Sequence, residues 1–262
     1  MTLFQQNHFD QNQFADLLKD VDVSRHDLNS LVLDYLLVEG FSDAAIEFAR
    51  ETGIPADIDH EKISERMEIR QAVEEGRVEE AISRVNELDP EILDTNPSLL
   101  FHLLLLRLIE LIRLDNLDAA LHFATNELAP RGAQNPEFLA DLEKAMALLA
   151  FPDLAHFADD SPTAGPKPEL NAETVALFDE PAFEPIMALM KRSQRAKVAR
   201  ELNAAILETQ GYGVETKLSG LVRLMAWGEE KLVEGSSVSL PEDERRKGRT
   251  WANAVLAGEV DG

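Results

Sequence analysis

The chain has 262 residues, of which 45% are hydrophobic and 28% charged, a composition typical of folded proteins. Its 25 Lys and Arg stand against 49 Asp and Glu, and the resulting formal net charge of −24 argues against nucleic acid and anionic membranes as partners, because a negative surface repels phosphate. The chain has no cysteine, which excludes a disulfide scaffold, a thiol nucleophile and Cys-ligated zinc. Residues 1–20 contain no apolar run typical of a secretory signal, so we expect a cytoplasmic and nuclear protein.

The first predicted helix follows an arm, residues 1–24, that is rich in Gln and Asn and that we expect to be flexible. One face of this helix is apolar and Gly40 is its expected end. The members of this face are Leu28, Leu31, Val32, Tyr35 and Leu36. Ser42 is the expected N-cap of a second helix, which would turn Ala45, Phe48 and Ala49 inward.

A strongly apolar helix is predicted over Leu99–Leu114, opened by Asn96 as N-cap and Pro97 at the first helical position. It is shorter than the roughly 20 residues that a membrane span requires, and it carries several charges. We therefore interpret it as a buried core helix. Its polar residues form one stripe: His102, Arg107, Glu110 and Arg113.

The second half of the chain keeps the helical period, and strand patterns are nearly absent. Residues 158–183 are rich in Pro and Gly and read as an inserted loop. Helical periodicity returns from Pro185 to Leu232, and residues 234–262 form a polar tail whose apolar residues are Trp251, Val255 and Leu256. A weak repeat at spacings of 37 and 39 residues relates positions beginning at Phe41, Val78 and Leu117. The expected fold is all-α, a two-helix motif followed by an α-solenoid-like helical array.

No pattern in the sequence predicts catalytic, cofactor-binding or metal-binding residues. No two of the six histidines lie four residues apart, and the adjacent acidic pairs point away from each other on a helix. One basic segment, Lys191–Arg200, runs against the acidic trend. It is either a helix start balanced by acids elsewhere in the fold or a contact with an acidic partner surface.

Residues 25–57 resemble a LisH motif, a short two-helix dimerisation element. The pattern includes Leu31-Val32, Tyr35-Leu36, Gly40-Phe41, Ala44-Ala45, Phe48, Glu51 and Gly53. Residues 63–120 resemble a CTLH domain, and residues 116–233 resemble a CRA domain into which the 158–183 loop is inserted. The most specific block runs from Leu93-Asp94-Thr95-Asn96-Pro97 to Leu108-Ile109-Glu110-Leu111-Ile112-Arg113.

This order of domains resembles the order found in the family of the eighth component of the GID/CTLH E3 ubiquitin ligase. The resemblance implies a non-catalytic scaffold without a cofactor, joined in a hetero-oligomer to RING-bearing and SPRY-bearing subunits, and it implies proteasomal degradation of metabolic enzymes. The absence of cysteine agrees, because a RING and a HECT-type ligase both need it. The alternative is a LisH-type homodimeric scaffold for the cytoskeleton or transport, which the negative charge disfavours because tubulin is also acidic.

Three sets of residues are candidates for partner binding. A two-helix unit is too small to bury both apolar faces alone, since isolated domains need about 40 residues. The LisH candidates are Leu28, Leu31, Val32, Tyr35, Leu36 and Phe48. The resemblance implies that the last helix returns to them. Its apolar residues would then be covered either by residues 28–52, which gives one composite surface, or by a partner subunit: Leu218, Leu221, Val222, Met225 and Trp227. The polar stripe of the Leu99–Leu114 helix, with Glu79, Arg84 and Asp94, is the candidate face for a CTLH-bearing partner.

Overall fold

The computed structural model describes residues 23–56, 58–160 and 172–235, together with the single positions 16 and 169. These residues are mainly helical and include no strand, which confirms the predicted all-α fold. In chain order the helices are α1 (Arg25–Glu39), α2 (Ser42–Thr52), α3 (His60–Glu74), α4 (Val78–Leu88), α5 (Glu91–Asp94), α6 (Pro97–Arg113), α7 (Leu117–Phe123), α8 (Ala129–Gly132), α9 (Pro136–Ala150), α10 (Pro152–Ala158), α11 (Ala172–Phe178), α12 (Glu184–Ala188), α13 (Arg192–Thr209) and α14 (Lys217–Gly235).

These helices fall into two compact units. The terminal unit contains the described residues up to His60 and from Gly213 onward, and the middle unit is Glu61–Tyr212. The predicted arm before residue 23 and the tail after residue 235 lie outside the described residues, except for position 16.

Local capping explains where α1 begins and ends. Ser24 is its N-cap and forms a capping box with Asp27, each side chain accepting a hydrogen bond from the other residue's backbone N–H. Gly40 ends the helix in the left-handed conformation (φ 90°), as the sequence predicts. The predicted Ser42 N-cap of α2 is wrong. Phe41 holds that position, because the N–H of Ala45 donates to the Phe41 carbonyl at 2.8 Å and so starts the helical ladder one residue earlier.

The core of the terminal unit is small. Its buried members are Leu33, Ala45 and Ala49. Partly buried residues pack against them: Leu36, Leu37, Phe48, Ile54 and Ile58. Helix α14 contacts α1 within the same unit.

Helix α6 is the core of the middle unit. One side carries Leu99, Leu103 and Leu106 against α3, α4, α5 and α13. Another side carries Phe101, Leu108 and Ile112 against α7, α9 and α10. All six residues are buried, which confirms the prediction of a core helix. Among the described residues, no helix is long and apolar enough to span a membrane.

One prediction about the second half of the chain is corrected. The 158–183 segment contains helix α11, whose Phe178 is buried against Phe157 and Phe183. Part of the predicted loop is therefore helical and packed. The predicted helical run from Pro185 to Leu232 corresponds to α12, α13 and α14. The weak repeat does not mark equivalent packing, because Ala44 is exposed where its counterparts Ala81 and Ala120 are buried.

Candidate interaction surfaces

Helix α1 exposes apolar side chains on one face. Leu28 is 51% exposed and Val32 is 41% exposed. The neighbouring candidates Leu31 and Tyr35 are half-buried, and the Tyr35 ring lies 6.3 Å from that of Phe41. Leu28 and Val32 therefore form an apolar surface that the described chain leaves uncovered.

Leu36 and Phe48 are placed differently from the other LisH candidates. Both are half-buried against the core of the terminal unit. The buried residues of α1 are instead Leu33 and Val38, which the sequence did not single out. Helix α1 is apolar around most of its circumference, so periodicity alone could not select the face that packs inward.

Helix α14 carries a second exposed apolar stripe. Leu218, Leu221, Met225 and Trp227 are each between 42% and 52% exposed. Val222 is half-buried and Ala226 is fully buried. The side of α14 that includes Ala226 is therefore covered, while Leu218, Leu221 and Met225 face outward.

A polar contact fixes the start of α14 on α1. The carboxylate of Asp34 accepts a hydrogen bond from the backbone N–H of Lys217 at 2.8 Å and lies 3.4 Å from the Lys217 ammonium nitrogen. The Thr216 hydroxyl accepts the N–H of Ser219 at 3.0 Å. Asp34 therefore supplies an acceptor to an otherwise unpaired donor of another helix. The predicted return of the last helix to the LisH helices is confirmed, whereas the part played by Asp34 was not visible in the sequence.

The candidate CTLH face is partly engaged inside the chain. Glu79 on α4 pairs with Arg107 on α6. Arg84 pairs with Glu68 on α3 and also with Glu80, where the Arg84 Nη2 lies 3.0 Å from the Glu80 Oε1. Hydrogen bonding from Arg77, above all, lowers the pKa of the Glu80 carboxyl. Asp94 is exposed at the end of α5. Glu79 and Arg84 thus join α4 to its neighbours, and their role toward a partner stays a prediction.

The polar stripe of α6 also contacts other parts of the middle unit. His102 Nδ1 lies 2.7 Å from Glu201 Oε2, and the Arg107 guanidinium stacks 4.6 Å from the centre of the Phe123 ring. Glu110 accepts two hydrogen bonds from Arg195, at 2.8 and 2.5 Å. Arg113 pairs with Asp159. The expectation that this stripe faces a partner is wrong for Glu110 and Arg113, because both are used to hold α6 in place.

The pair formed by Glu110 and Arg195 bears on the basic segment Lys191–Arg200. Arg195 is buried and its two-point contact with Glu110 matches the fork of the guanidinium to the carboxylate. The contact with Glu110 supports, for Arg195, the first of the two interpretations of this segment, in which acidic residues of the same fold balance its positive charge. Lys191, Arg192 and Lys197 are exposed, so the segment still presents positive charge at the surface.

The described part of the chain contains no cluster of candidate metal ligands. No group of three or more His, Asp or Glu there is close enough to hold a metal ion. The features that the described structure does offer are the two apolar stripes and the charged face of α4 and α5.

Comparison with known families agrees with this arrangement. A family model described as LisH matches residues 26–52, and one described as the CTLH/CRA domain C-terminal to the LisH motif matches residues 62–233. The matched ranges cover the helices that carry the exposed apolar stripes.

Individual relatives are similar over most of their length. A protein of Arabidopsis thaliana named GID8 homolog is 42% identical over 217 residues, which are 83% of this chain and 78% of the relative. A Dictyostelium discoideum protein named glucose-induced degradation protein 8 homolog is 40% identical over 221 residues, 84% of this chain and 85% of the relative. GID complex subunit 8 of Schizosaccharomyces pombe is 36% identical over 236 residues, 87% and 88% of the two chains. The chain therefore belongs to the GID8 family of LisH- and CTLH-domain proteins.

Proposed function

We propose that this chain is a non-catalytic scaffold subunit of a GID/CTLH-type E3 ubiquitin ligase, acting in the cytoplasm and nucleus. Its role is to link RING-bearing subunits with subunits that carry SPRY domains or substrate receptors, so that metabolic enzymes are ubiquitinated for degradation by the proteasome. Holding the ubiquitin-carrying enzyme and the substrate in one assembly raises their effective concentration. A scaffold without catalytic residues of its own increases the rate of ubiquitin transfer in this way.

The observation that carries the proposal is the pair of exposed apolar stripes on two helices in contact, α1 and α14. Burying a Leu or Met side chain is worth about 1.5–3 kcal/mol, so several such residues on a unit with a small core favour a covering partner. The family relationship supports a partner that itself carries LisH and CTLH domains.

The non-catalytic part of the proposal is supported by composition. The chain has no cysteine, and a RING domain or a thioester-forming ligase would need it. In the proposed assembly, the zinc ligands and the enzyme charged with ubiquitin belong to other subunits.

The test is co-expression with a RING-bearing CTLH-domain subunit and a SPRY-bearing subunit of the same organism, followed by mass photometry of the purified assembly. The double variant Leu28→Ser, Val32→Ser should weaken assembly at least about 100-fold, because it removes two apolar contacts worth about 1.5–3 kcal/mol each. Leu139→Ser is the matched control, since Leu139 is similarly exposed but lies on α9 of the middle unit.

The outcomes separate the proposal from its alternative. Complexes that form with the control and not with the double variant support a scaffold subunit. An isolated chain that forms a homodimer through the same residues, and binds neither CTLH-domain subunit, would instead favour the homodimeric cytoskeletal or transport scaffold.

A further inference from the structure

Helix α13 begins with a dense group of cationic side chains. Residues 191–200 hold five of the 25 Lys and Arg of the chain and none of its 49 Asp and Glu. Arg195 is buried and paired with Glu110. The other four cations are exposed: Lys191, Arg192, Lys197 and Arg200. The buried pair explains the presence of Arg195, whereas the exposed members of the segment need a different reason.

The exposed cations of the helix lie on one side of it. At about 100° per residue, Arg192, Arg200 and Lys197 fall at about 0°, 80° and 140° around the helix axis. A rise of about 1.5 Å per residue places Arg192 and Arg200 about 12 Å apart along this axis. Lys191 is the N-cap residue, directly before the helix. These four residues together are the basic face of α13.

Nearby carboxylates of the middle unit make contacts other than ion pairs with the lysines of this face. Asp160 accepts a hydrogen bond from the backbone N–H of Arg192 at 2.7 Å. Glu201 Oε2 lies 2.7 Å from His102 Nδ1. Neither Lys191 nor Lys197 has an ion pair in the part of the chain that the structure describes. Their ammonium groups are therefore available to an anion from another molecule.

The charge of the whole chain favours one class of anion. A net charge of −24 repels nucleic acid and anionic membranes, because these spread their negative charge far beyond the basic face. A short acidic segment of a protein brings its carboxylates to the cations alone, and salt screens exposed charges more than about 10 Å away. The length of about 12 Å corresponds to about four residues of extended chain. The basic face therefore fits a short run of Asp or Glu.

We propose that the basic face of α13 binds a short acidic segment of a partner protein, about four residues long. The guanidinium groups of Arg192 and Arg200 each match a carboxylate with two donors, and Lys197 adds a point charge between them. The binding of an acidic segment stands on this surface alone. The assignment of the segment to another subunit of the ligase rests on the proposed function.

A fluorescein-labelled peptide with four consecutive glutamates tests the binding. Its fluorescence anisotropy should rise when the full chain is added at low salt, and the affinity should fall as the salt concentration increases. Lys197→Glu, Arg200→Glu should weaken the binding at least about fourfold. An exposed ion pair changes an affinity by about 1.4- to 5-fold, and each reversal also adds a repulsion. Absence of binding by the unmodified chain at low salt overturns the proposal.

A matched control separates the basic face from the charge of the whole chain. Arg50→Glu, Lys144→Glu changes the net charge by the same amount as the test variant, because both contain two reversals. Arg50 lies on α2 and Lys144 on α9, and each pairs with an acidic residue of its own helix. The control should bind the peptide at least twice as tightly as the test variant. Equal weakening by both variants would mean that the overall charge attracts the peptide, which contradicts the proposal.

A neutral variant guards against an effect of misplaced acidic groups on folding. Lys197→Gln, Arg200→Gln removes both charges without adding a repulsion and should weaken binding at least about twofold. Its thermal unfolding, followed by circular dichroism, should match that of the unmodified chain. An unchanged affinity for the peptide would show that these two side chains do not bind it.

Other anions test the choice of occupant. A short oligothymidylate of the same charge and vesicles that contain phosphatidylserine should bind the chain more weakly than the peptide at the same salt concentration. Tighter binding of the oligothymidylate would assign the basic face to nucleic acid, and tighter binding of the vesicles would assign it to a membrane. Either result overturns the acidic segment.

Assembly with co-expressed RING-bearing and SPRY-bearing subunits tests the assignment to the ligase. Complexes of the Lys197→Glu, Arg200→Glu chain should dissociate at a lower NaCl concentration than complexes of the Arg50→Glu, Lys144→Glu control. Peptide binding without any change in the assembly overturns the assignment to a ligase subunit and supports the site itself. Failure of the unmodified chain to assemble overturns the proposed function, while the peptide titration still decides whether the basic face binds an acidic segment.

Discussion

At the scale of single residues, Gly76 shows how tightly the middle unit is packed around its buried ion pair. Gly76 follows α3 with φ of 81°, in the left-handed region that disfavours other residues. A Cβ atom at this position would lie 2.9 Å from both Arg195 Nη2 and Glu110 Oε2. The backbone therefore favours glycine here, and a side chain at this position would also displace the ends of the two charged groups.

Gly76→Ala should destabilise the middle unit by more than backbone strain alone. The control is Gly211→Ala, which has a similar φ of 77° in the same unit and no atom within 4 Å of the added Cβ. The control should cost about 1–2 kcal/mol in the free energy of unfolding, and Gly76→Ala clearly more, because Arg195 and Glu110 must also shift. Urea denaturation measures both, and equal losses would mean that the ion pair yields freely.

Asp27 makes the start of α1 sensitive to acid. Hydrogen bonds from the Ser24 hydroxyl and then from its backbone N–H lower the pKa of the Asp27 carboxyl below its ordinary value of 3.8. The folded form thus favours the charged carboxylate, so the stabilisation is present above this value and is lost as the pH falls through the folded pKa. Amide NMR signals of residues 25–28 should report fraying at low pH in the unmodified chain, while Asp27→Asn should lack this dependence.

At the scale of helices, the sequence predicted which segments are helical better than it predicted how the helices pack against each other. Helix α6 was predictable because its apolar run is bounded by an Asn-Pro start and because four polar residues share one stripe. Its ion pairs with residues such as Arg195 and Asp159 were not, because both partners are distant in the chain. Helix α11 was missed because Pro and Gly before it dominate the local pattern.

The candidate surfaces were likewise predictable where they depend on helical periodicity and not where they depend on packing between helices. The apolar stripe of α14 was visible as periodicity, and its placement on α1 agreed with the family resemblance. The inward face of α1 was not predictable, since Leu33 and Val38 compete with equally apolar neighbours for the core. Asp34 carries no sequence signal, because its function depends on a helix that begins at Lys217.

Asp34 should control how firmly α14 is held at its start. Asp34→Ala removes the acceptor for the Lys217 N–H and should cost about 0.5–2 kcal/mol, the range for a lost N-terminal cap. Hydrogen exchange of the amides at 217–220 should accelerate accordingly. Asp34→Asn keeps an acceptor oxygen and loses only an exposed ion pair worth little, so it should behave like the unmodified chain. If both variants exchange equally fast, the charge and not the hydrogen bond holds the helix.

At the scale of the whole molecule, the two units differ in how much they bury. The middle unit surrounds α6 with two large clusters of buried residues, whereas the hydrophobic cluster in the described part of the terminal unit has three buried members, Leu33, Ala45 and Ala49. The terminal unit also carries the exposed stripes of α1 and α14. A unit with so little core gains proportionately more stability from each additional apolar contact, and this is consistent with a part of the chain that is completed by binding.

The split of the terminal unit across the sequence has a consequence for synthesis. Helices α1 and α2 leave the ribosome before the middle unit, but α14, which packs on α1, follows only after residues 61–212 have been translated. At about 5–20 residues per second, the N-terminal helices wait roughly 8–30 s for it. During this interval the nascent chain has the stripe of α1 without α14, so composite recognition of both helices starts only after α14 has been translated, and chains that terminate before α14 cannot offer it.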